Sequence, residues 1–222
     1  MPDDVGATQS FYGRWARAYD WLATAPGVGS WRERAADALD LEPGDTVVEM
    51  GCGTGANVSH LRDRVGPEGR VVGVDLTRGM LRRASERVDR AGWRNVHLAR
   101  ADARRPPIDG PVDAVLATFV VGMFADPRPA VERWIEMLAP GGRIALLNAG
   151  RSDRRVAAPL NLGFRAFVRA AAPGDGRESP SKSLERRVAT ARDAVYSNCP
   201  DHGFEEFGLG YLGLAWGERS EV

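Results

Sequence analysis

The sequence predicts an α/β fold, a mostly parallel β-sheet with helices on both faces. Three observations carry that prediction. Short apolar runs rich in β-branched residues recur five times between residues 46 and 148, apolar residues at helical spacing fill the gaps between them, and glycine or proline punctuates the joins. Strands that alternate with helices are joined by crossover connections, which leave successive strands parallel and set the helices over the sheet faces. With 222 residues, 43% of them hydrophobic, the chain can bury such a core, which excludes a disordered protein or a stapled mini-scaffold.

In chain order, Phe11, Trp15, Ala18 and Leu22 recur at helical spacing, with Tyr12 and Tyr19 on a second face of the same helix. A short helix fits Trp31 to Leu39, and Pro43-Gly44-Asp45 is a turn. Thr46 to Met50 is the first strand, and Val58, Leu61 and Val65 form a helix face that Gly66-Pro67 and Gly69 stop. Arg70 to Asp75 is the second strand; Met80, Ala84, Val88 and Ala91 mark a helix ended by Gly92. Val96 to Arg100 and Val112 to Thr118 are the third and fourth strands, with a helix expected between each pair of strands. Val131, Trp134, Ile135 and Leu138 mark a helix ended by Pro140-Gly141-Gly142, and Arg143 to Asn148 is the fifth strand.

After Gly150 the rhythm changes. Leu160, Phe164, Phe167, Val168 and Ala171 make an apolar helical face flanked by Arg165 and Arg169. A Gly/Pro/Ser stretch from Pro173 to Ser183 precedes a helix from Leu184 to Tyr196. Phe204 to Phe207 and Tyr211 to Trp216 are closing strands joined by Gly208-Leu209-Gly210; so close a spacing implies a hairpin, hence at least one antiparallel strand. One domain is expected over 1–222: a helical cap at 1–42, a core at 43–150, a helical insert at 151–200 and closing strands at 201–222.

The net charge is zero and the pI about 6.9, against a dedicated nucleic-acid binder. That zero is a cancellation: residues 1–150 carry −1, residues 151–200 carry +5 and residues 201–222 carry −4. Of the 30 basic residues only Lys182 is a lysine. Cys52 and Cys199 form neither a disulfide framework nor a metal-ligand pattern. No stretch approaches the roughly 18 apolar residues of a membrane span, and Met1 to Thr8 is polar and acidic, unlike a secretory signal. A cytoplasmic protein is expected.

The informative segment is Glu49-Met-Gly51-Cys52-Gly53-Thr-Gly55-Ala56, where the first strand meets its helix. Glycines there permit a tight turn and bring a ligand close to backbone N–H groups. Asp75, ending the second strand, can accept hydrogen bonds from ribose hydroxyls; Asp102, after the third strand, is placed for an adenine amino group. Gly51-x-Gly53-x-x-Ala56 also satisfies the dinucleotide fingerprint, so the glycines alone leave a nicotinamide enzyme open. Charge favours S-adenosylmethionine (SAM): Glu49 would repel a pyrophosphate but suits the ammonium and sulfonium of SAM.

This ordered set resembles the class I SAM-dependent methyltransferases of the small-molecule type. The likeness runs through Tyr19-Asp20, Val47 to Gly55, Val72-Gly-Val-Asp75, Arg100-Ala101-Asp102-Ala103, Val112-Asp-Ala-Val115 and Leu138-Ala-Pro-Gly-Gly142. It implies a Rossmann-like, doubly wound sheet of seven strands, the last antiparallel. It implies Glu49, Gly51, Cys52, Gly53 and Gly55 around the methionine moiety, Asp75 and Leu76 at the ribose, and Met80, Ala101, Asp102 and Ala103 at the adenine. Thr118 and Phe119 would line the sulfonium, and Tyr19 would close the pocket.

Methyl transfer from a sulfonium is an in-line displacement, so alignment and water exclusion are the main demands, and a base is needed only where the acceptor must lose a proton. His60, His97 and His202 share no motif with a carboxylate, so no catalytic residue is assigned, and Cys52 reads as a small loop residue. Phe11 to Asp20 and Pro159 to Val168 are similar to segments of the ubiquinone/menaquinone C-methyltransferases and of phospholipid N-methyltransferases. Asn148 stands where the quinone enzymes carry an acid, and Val120-Val-Gly-Met123 is apolar. The apolar N-terminal helix and insert, both with arginines, set the expected acceptor as small and hydrophobic or amphipathic, a prenylated quinol ahead of a phospholipid head group, with peripheral membrane contact through the insert. A SAM-binding sensor or partner subunit without catalysis is the expectation of another class.

Overall fold

The computed structural model describes residues 28–152, 161 and 180–221. Its elements, in chain order, are α1 (Val28–Asp37), β1 (Thr46–Met50), α2 (Val58–Val65), β2 (Arg70–Asp75), α3 (Arg78–Ala91), β3 (Val96–Arg100) and β4 (Val112–Thr118). A 3-10 turn (Val121–Met123), α4 (Arg128–Glu136), β5 (Leu138–Ala149), α5 (Pro180–Asn198), β6 (Asp201–Phe207), a second 3-10 turn (Gly208–Gly210) and β7 (Leu212–Glu218) complete the series.

The seven strands form one sheet in the order β3-β2-β1-β4-β5-β7-β6. β1 to β5 pair in parallel, and β7 runs antiparallel to both β5 and β6. This is the Rossmann-like, doubly wound sheet with an antiparallel last strand. The order turns back at β1, whose neighbours are β2 and β4, and that reversal opens a crevice beyond the carboxyl ends of the strands.

Alternation along each strand splits the core in two. Val47, Val71, Leu116 and Leu147 face α1 and α2 through Ala35, Ala36, Leu61 and Val65. Val48, Met50, Val115 and Leu146 face α4 and α5 through Trp134, Ile135, Ala194 and Val195. Side chains of successive strand residues point to opposite faces, so the near-continuous apolar runs are the signature of a sheet covered on both sides.

Three expectations are corrected. No helix joins β3 to β4: residues 101–111 are irregular, because Pro106-Pro107 and Gly110-Pro111 deny the backbone donors and dihedrals a helix needs. Leu138 belongs to β5 and not to the preceding helix; its spacing from Trp134 continues the helical pattern, yet it pairs with Val112 across the sheet. The register then slips before Ala114 meets Arg143, and Gly141 at φ +75° takes up the extra chain. α5 begins at Pro180, so Ser181 and Ser183 lie in a helix that proline opens, where its missing N–H costs nothing. The expected helices at Phe11 to Leu22 and Leu160 to Ala171, with Tyr12, Tyr19, Arg165 and Arg169, lie outside the described residues apart from Asn161. Among the described residues no helix is long and apolar enough to cross a membrane.

Candidate cofactor site

The loop after β1 is drawn across the tip of β2. Gly51 and Cys52 both donate their N–H to the Val74 carbonyl, at 2.8 and 3.0 Å. Gly53 N–H donates to Asp75 Oδ2 at 3.0 Å and Thr77 N–H to Asp75 Oδ1 at 2.7 Å. Burial holds the Asp75 carboxyl above its usual range, with these two N–H groups offsetting only part of the push.

Gly51 has φ +70°, and a Cβ there would lie 2.8 Å from Val120 Cγ2, so the segment after β4 seats the glycine loop. That segment is itself bent at Phe119, at φ +59°, whose N–H donates to the Leu147 carbonyl at 2.8 Å. Gly53 is at φ +54°, and among the described residues no atom lies within 4 Å of where a Cβ would stand.

Beneath the loop lies a buried polar network. Glu49 is 1% exposed, and its Oε1 accepts from Asn57 Nδ2 at 2.5 Å. The same Nδ2 donates to Thr118 Oγ1 at 3.0 Å, and Asn57 Oδ1 accepts from Arg32 Nη1 at 2.7 Å. Among the described residues Glu49 Oε2 has no hydrogen-bond partner. Its pKa is raised to about 7, first by burial, against the opposing pull of Asn57 and Arg32 and with a further push from Asp75. Burial also lifts the Cys52 thiol, helped by Glu49 and Asp75, so Cys52 is a neutral packing group against Gly73.

The β3 side of the rim is built differently. Asp102 is gripped by Arg104, whose Nε lies 3.1 and 3.0 Å from its two oxygens and whose Nη2 lies 2.8 Å from Oδ2; the contact holds the Asp102 carboxyl below its usual range. The carboxylate placed in sequence for an adenine amino group is thus already paired. Ala101 N–H donates to the Asp75 carbonyl at 3.1 Å, and Trp134 Nε1 donates to the Ala103 carbonyl at 2.7 Å, fixing this loop between β2 and α4. Met80, 4% exposed, packs in the first turn of α3, and the half-buried Leu76 accepts at its carbonyl from Arg100 Nε at 3.2 Å.

The rim therefore gathers Glu49, the glycine loop, Asp75, Leu76, Met80, the 101–103 loop, Thr118 and Phe119 around the crevice. Arg32 and Asn57 join it without having been singled out in the sequence. Asn57 carried a signal, an asparagine directly before the helix that follows a glycine loop. Arg32 carried none, being 25 residues away. His202 Nδ1 lies 2.8 Å from the Cys199 carbonyl with its ring stacked on Tyr196, at the opposite end of the sheet. His60 is shifted to favour its neutral form by burial and by Arg64. Among the described residues no group of three or more His, Cys, Asp or Glu could hold a metal ion. Such a rim can hold a ligand that brings hydroxyls to Asp75 and a cation to the free oxygen of Glu49.

Residues 47–142 match the family model described as a methyltransferase domain. The chain is 27% identical over 154 residues to a demethylmenaquinone methyltransferase of Desulfitobacterium hafniense, covering 67% of this chain and 61% of that protein. It is 33% identical over 139 residues to the nocamycin O-methyltransferase of Saccharothrix syringae, covering 61% and 48%. The chain thus spans about half the length of these curated relatives. In fold it is similar to a SAM-dependent methyltransferase from Aquifex aeolicus, with a TM-score of 0.60 at 21% identity over 84% of this chain and 88% of that one. The sheet order, the glycine loop with its two acids and the domain match converge: residues 47–142 form a methyltransferase domain, and the chain is similar in fold to a SAM-dependent methyltransferase and in sequence to a demethylmenaquinone methyltransferase.

Proposed function

We propose that the protein transfers a methyl group from SAM to a small hydrophobic or amphipathic acceptor, with a prenylated quinol as the first candidate. The observation that carries the cofactor reading is the unpartnered, fully buried oxygen of Glu49. An uncompensated buried carboxylate oxygen is costly, and an ammonium group is the partner that removes the cost. Gly51, Cys52, Gly53 and Gly55 would wrap the amino-acid end and Asp75 the ribose, with Leu76, Met80, Ala101 and Ala103 forming the adenine wall. Asp102, held by Arg104, would contribute as a shaped edge more than as a free acceptor. Thr118 and Phe119 would face the sulfonium, and Tyr19 would cover it.

SAM supplies a methyl group on an already activated leaving group. The task of the chain is alignment and exclusion of water, and no base is assigned to it. For the acceptor, the support is the apolar turn that follows β4, with Val120 and Val121 buried and Met123 42% exposed, together with the similarity to demethylmenaquinone methyltransferase. The charge of +5 over residues 151–200 favours a second reading, an acceptor with an anionic head group such as a phospholipid.

Incubation with methyl-labelled SAM and a fractionated lipid extract tests both. Label in the prenylquinone fraction supports the first reading, and label in the phospholipid fraction replaces it with the second. SAM binding without label in any fraction leaves a cofactor-binding module that does not catalyse.

A further inference from the structure

We propose that Arg32 is a positioning residue for the amino-acid end of the cofactor, acting through the Asn57 amide to hold Glu49 with one oxygen free. The inference rests on the SAM-binding reading above and goes beyond it, because Arg32 lies on α1 and reaches the rim only through Asn57, being part of neither the glycine loop nor a strand end.

A guanidinium has donors only, so the atom of Asn57 that meets Arg32 Nη1 at 2.7 Å must be the carbonyl oxygen. That contact fixes the amide the other way about for its nitrogen, whose two hydrogens then go to Glu49 Oε1 at 2.5 Å and Thr118 Oγ1 at 3.0 Å. One Glu49 oxygen is thereby consumed inside the protein and the other, Oε2, is left as an acceptor without a partner among the described residues, on a fully buried side chain. All four groups are nine-tenths buried or more, Arg32 at 5% and Asn57 at 1% exposure among them, so water does not substitute for a lost link. Without Arg32 the Asn57 amide is free to rotate, and Glu49 is free to turn either oxygen inward.

Calorimetry with two ligands tests this. S-adenosylhomocysteine carries the amino-acid end; 5′-methylthioadenosine has the nucleoside and the sulfur but no amino acid. Arg32→Gln is expected to weaken S-adenosylhomocysteine binding about tenfold while leaving 5′-methylthioadenosine within about twofold of the unmodified protein. Arg32→Lys, which keeps a donor, is expected to restore most of the lost affinity. Asn57→Ser cuts the same link at its centre with Arg32 in place and is expected to give the same selective loss. Equal losses for both ligands, or no loss for either, in the folded variants would overturn the proposal. If the unmodified protein binds neither ligand, the SAM-binding reading itself fails, which is a separate outcome.

Discussion

Glu49 and Asp102 stand at two ends of one strand rim, and their surroundings push them in opposite directions. Glu49 is sealed beneath the glycine loop, its carboxyl raised to about 7 by burial, with one oxygen open. Asp102 stands half in solvent with both oxygens on Arg104, its carboxyl lowered by that contact. Both are acids beside a nucleotide-type loop, and by residue type alone they promise the same service. The difference is that burial stores an unmet demand at the β1 end, whereas an internal ion pair satisfies it at the β3 end. Only the first has reason to recruit an outside charge.

The largest effect expected from breaking this contrast is structural. Trp134 is wholly buried and ties the 101–103 loop to α4 through Ala103, so Trp134→Ala should lower unfolding free energy by about 3–5 kcal/mol in denaturant titration. Trp134→Phe, which keeps most of the volume and loses the indole donor, should cost about 1–2 kcal/mol. Equal costs would mean that packing has no part in holding the β3 end.

Next in size is a pH dependence with a definite sign. The folded value for Glu49 lies above its usual 4.5, so the folded state binds the extra proton between pH 4.5 and about 7, and unliganded stability should fall as pH rises through that window. The shift corresponds to about 3 kcal/mol at most. The groups facing Glu49 are Arg32 from α1, Asn57 and Cys52 from the loop, and Asp75 from β2. Glu49→Gln should flatten that slope. At Asp102 the sign is reversed: its lowered carboxyl contributes stability that is present above its ordinary value and lost in stronger acid. Denaturant titrations from about pH 2 to about pH 8 on Glu49→Gln and Asp102→Asn read the contrast directly, the Glu49 slope above its usual 4.5 and the Asp102 slope below its usual 3.8.

Binding gives the smaller effects. Glu49→Gln removes the charge that faces the proposed ammonium and should weaken SAM about 10- to 100-fold by calorimetry. Asp102→Asn should change SAM affinity by less than about threefold, since its carboxylate is already spent on Arg104. A larger loss at Asp102 than at Glu49 would invert the comparison.

Much of this rim was legible in sequence for a physical reason. β1 to β4 fall on the predicted residues because each is a short, mostly apolar run, and β1, β2 and β3 close on a glycine or a charged residue, a signal that is local. Leu138 was misread because a residue four positions after Trp134 looks the same whether the helix continues or a strand begins, and only pairing with Val112 decides. The strand–helix rhythm predicts a helix in the β3–β4 link, and Pro106-Pro107 carries the contrary signal. Asp75 at a strand end was readable from its spacing to the glycines. The state of Asp102 was not, since Arg104 could equally have pointed into solvent. Arg32 meets Asn57 only because α1 folds back over α2, and no spacing within a window of a few turns encodes that meeting.

The route of the chain between β5 and β7 has a consequence for where the molecule tolerates change. β5 ends at Ala149 and is met by Leu212 of β7, so the whole stretch between them, α5 included, is an excursion from one rung of the ladder back to the same rung. For a flexible loop, closure entropy grows only with the logarithm of length, about 0.6 kcal/mol for each doubling. Lengthening, trimming or replacing the outer part of that excursion therefore leaves β1, β2 and the glycine loop nearly indifferent. Under the proposed function, changes confined to this detour would alter the acceptor side alone, while the strands that carry the glycine loop keep their register.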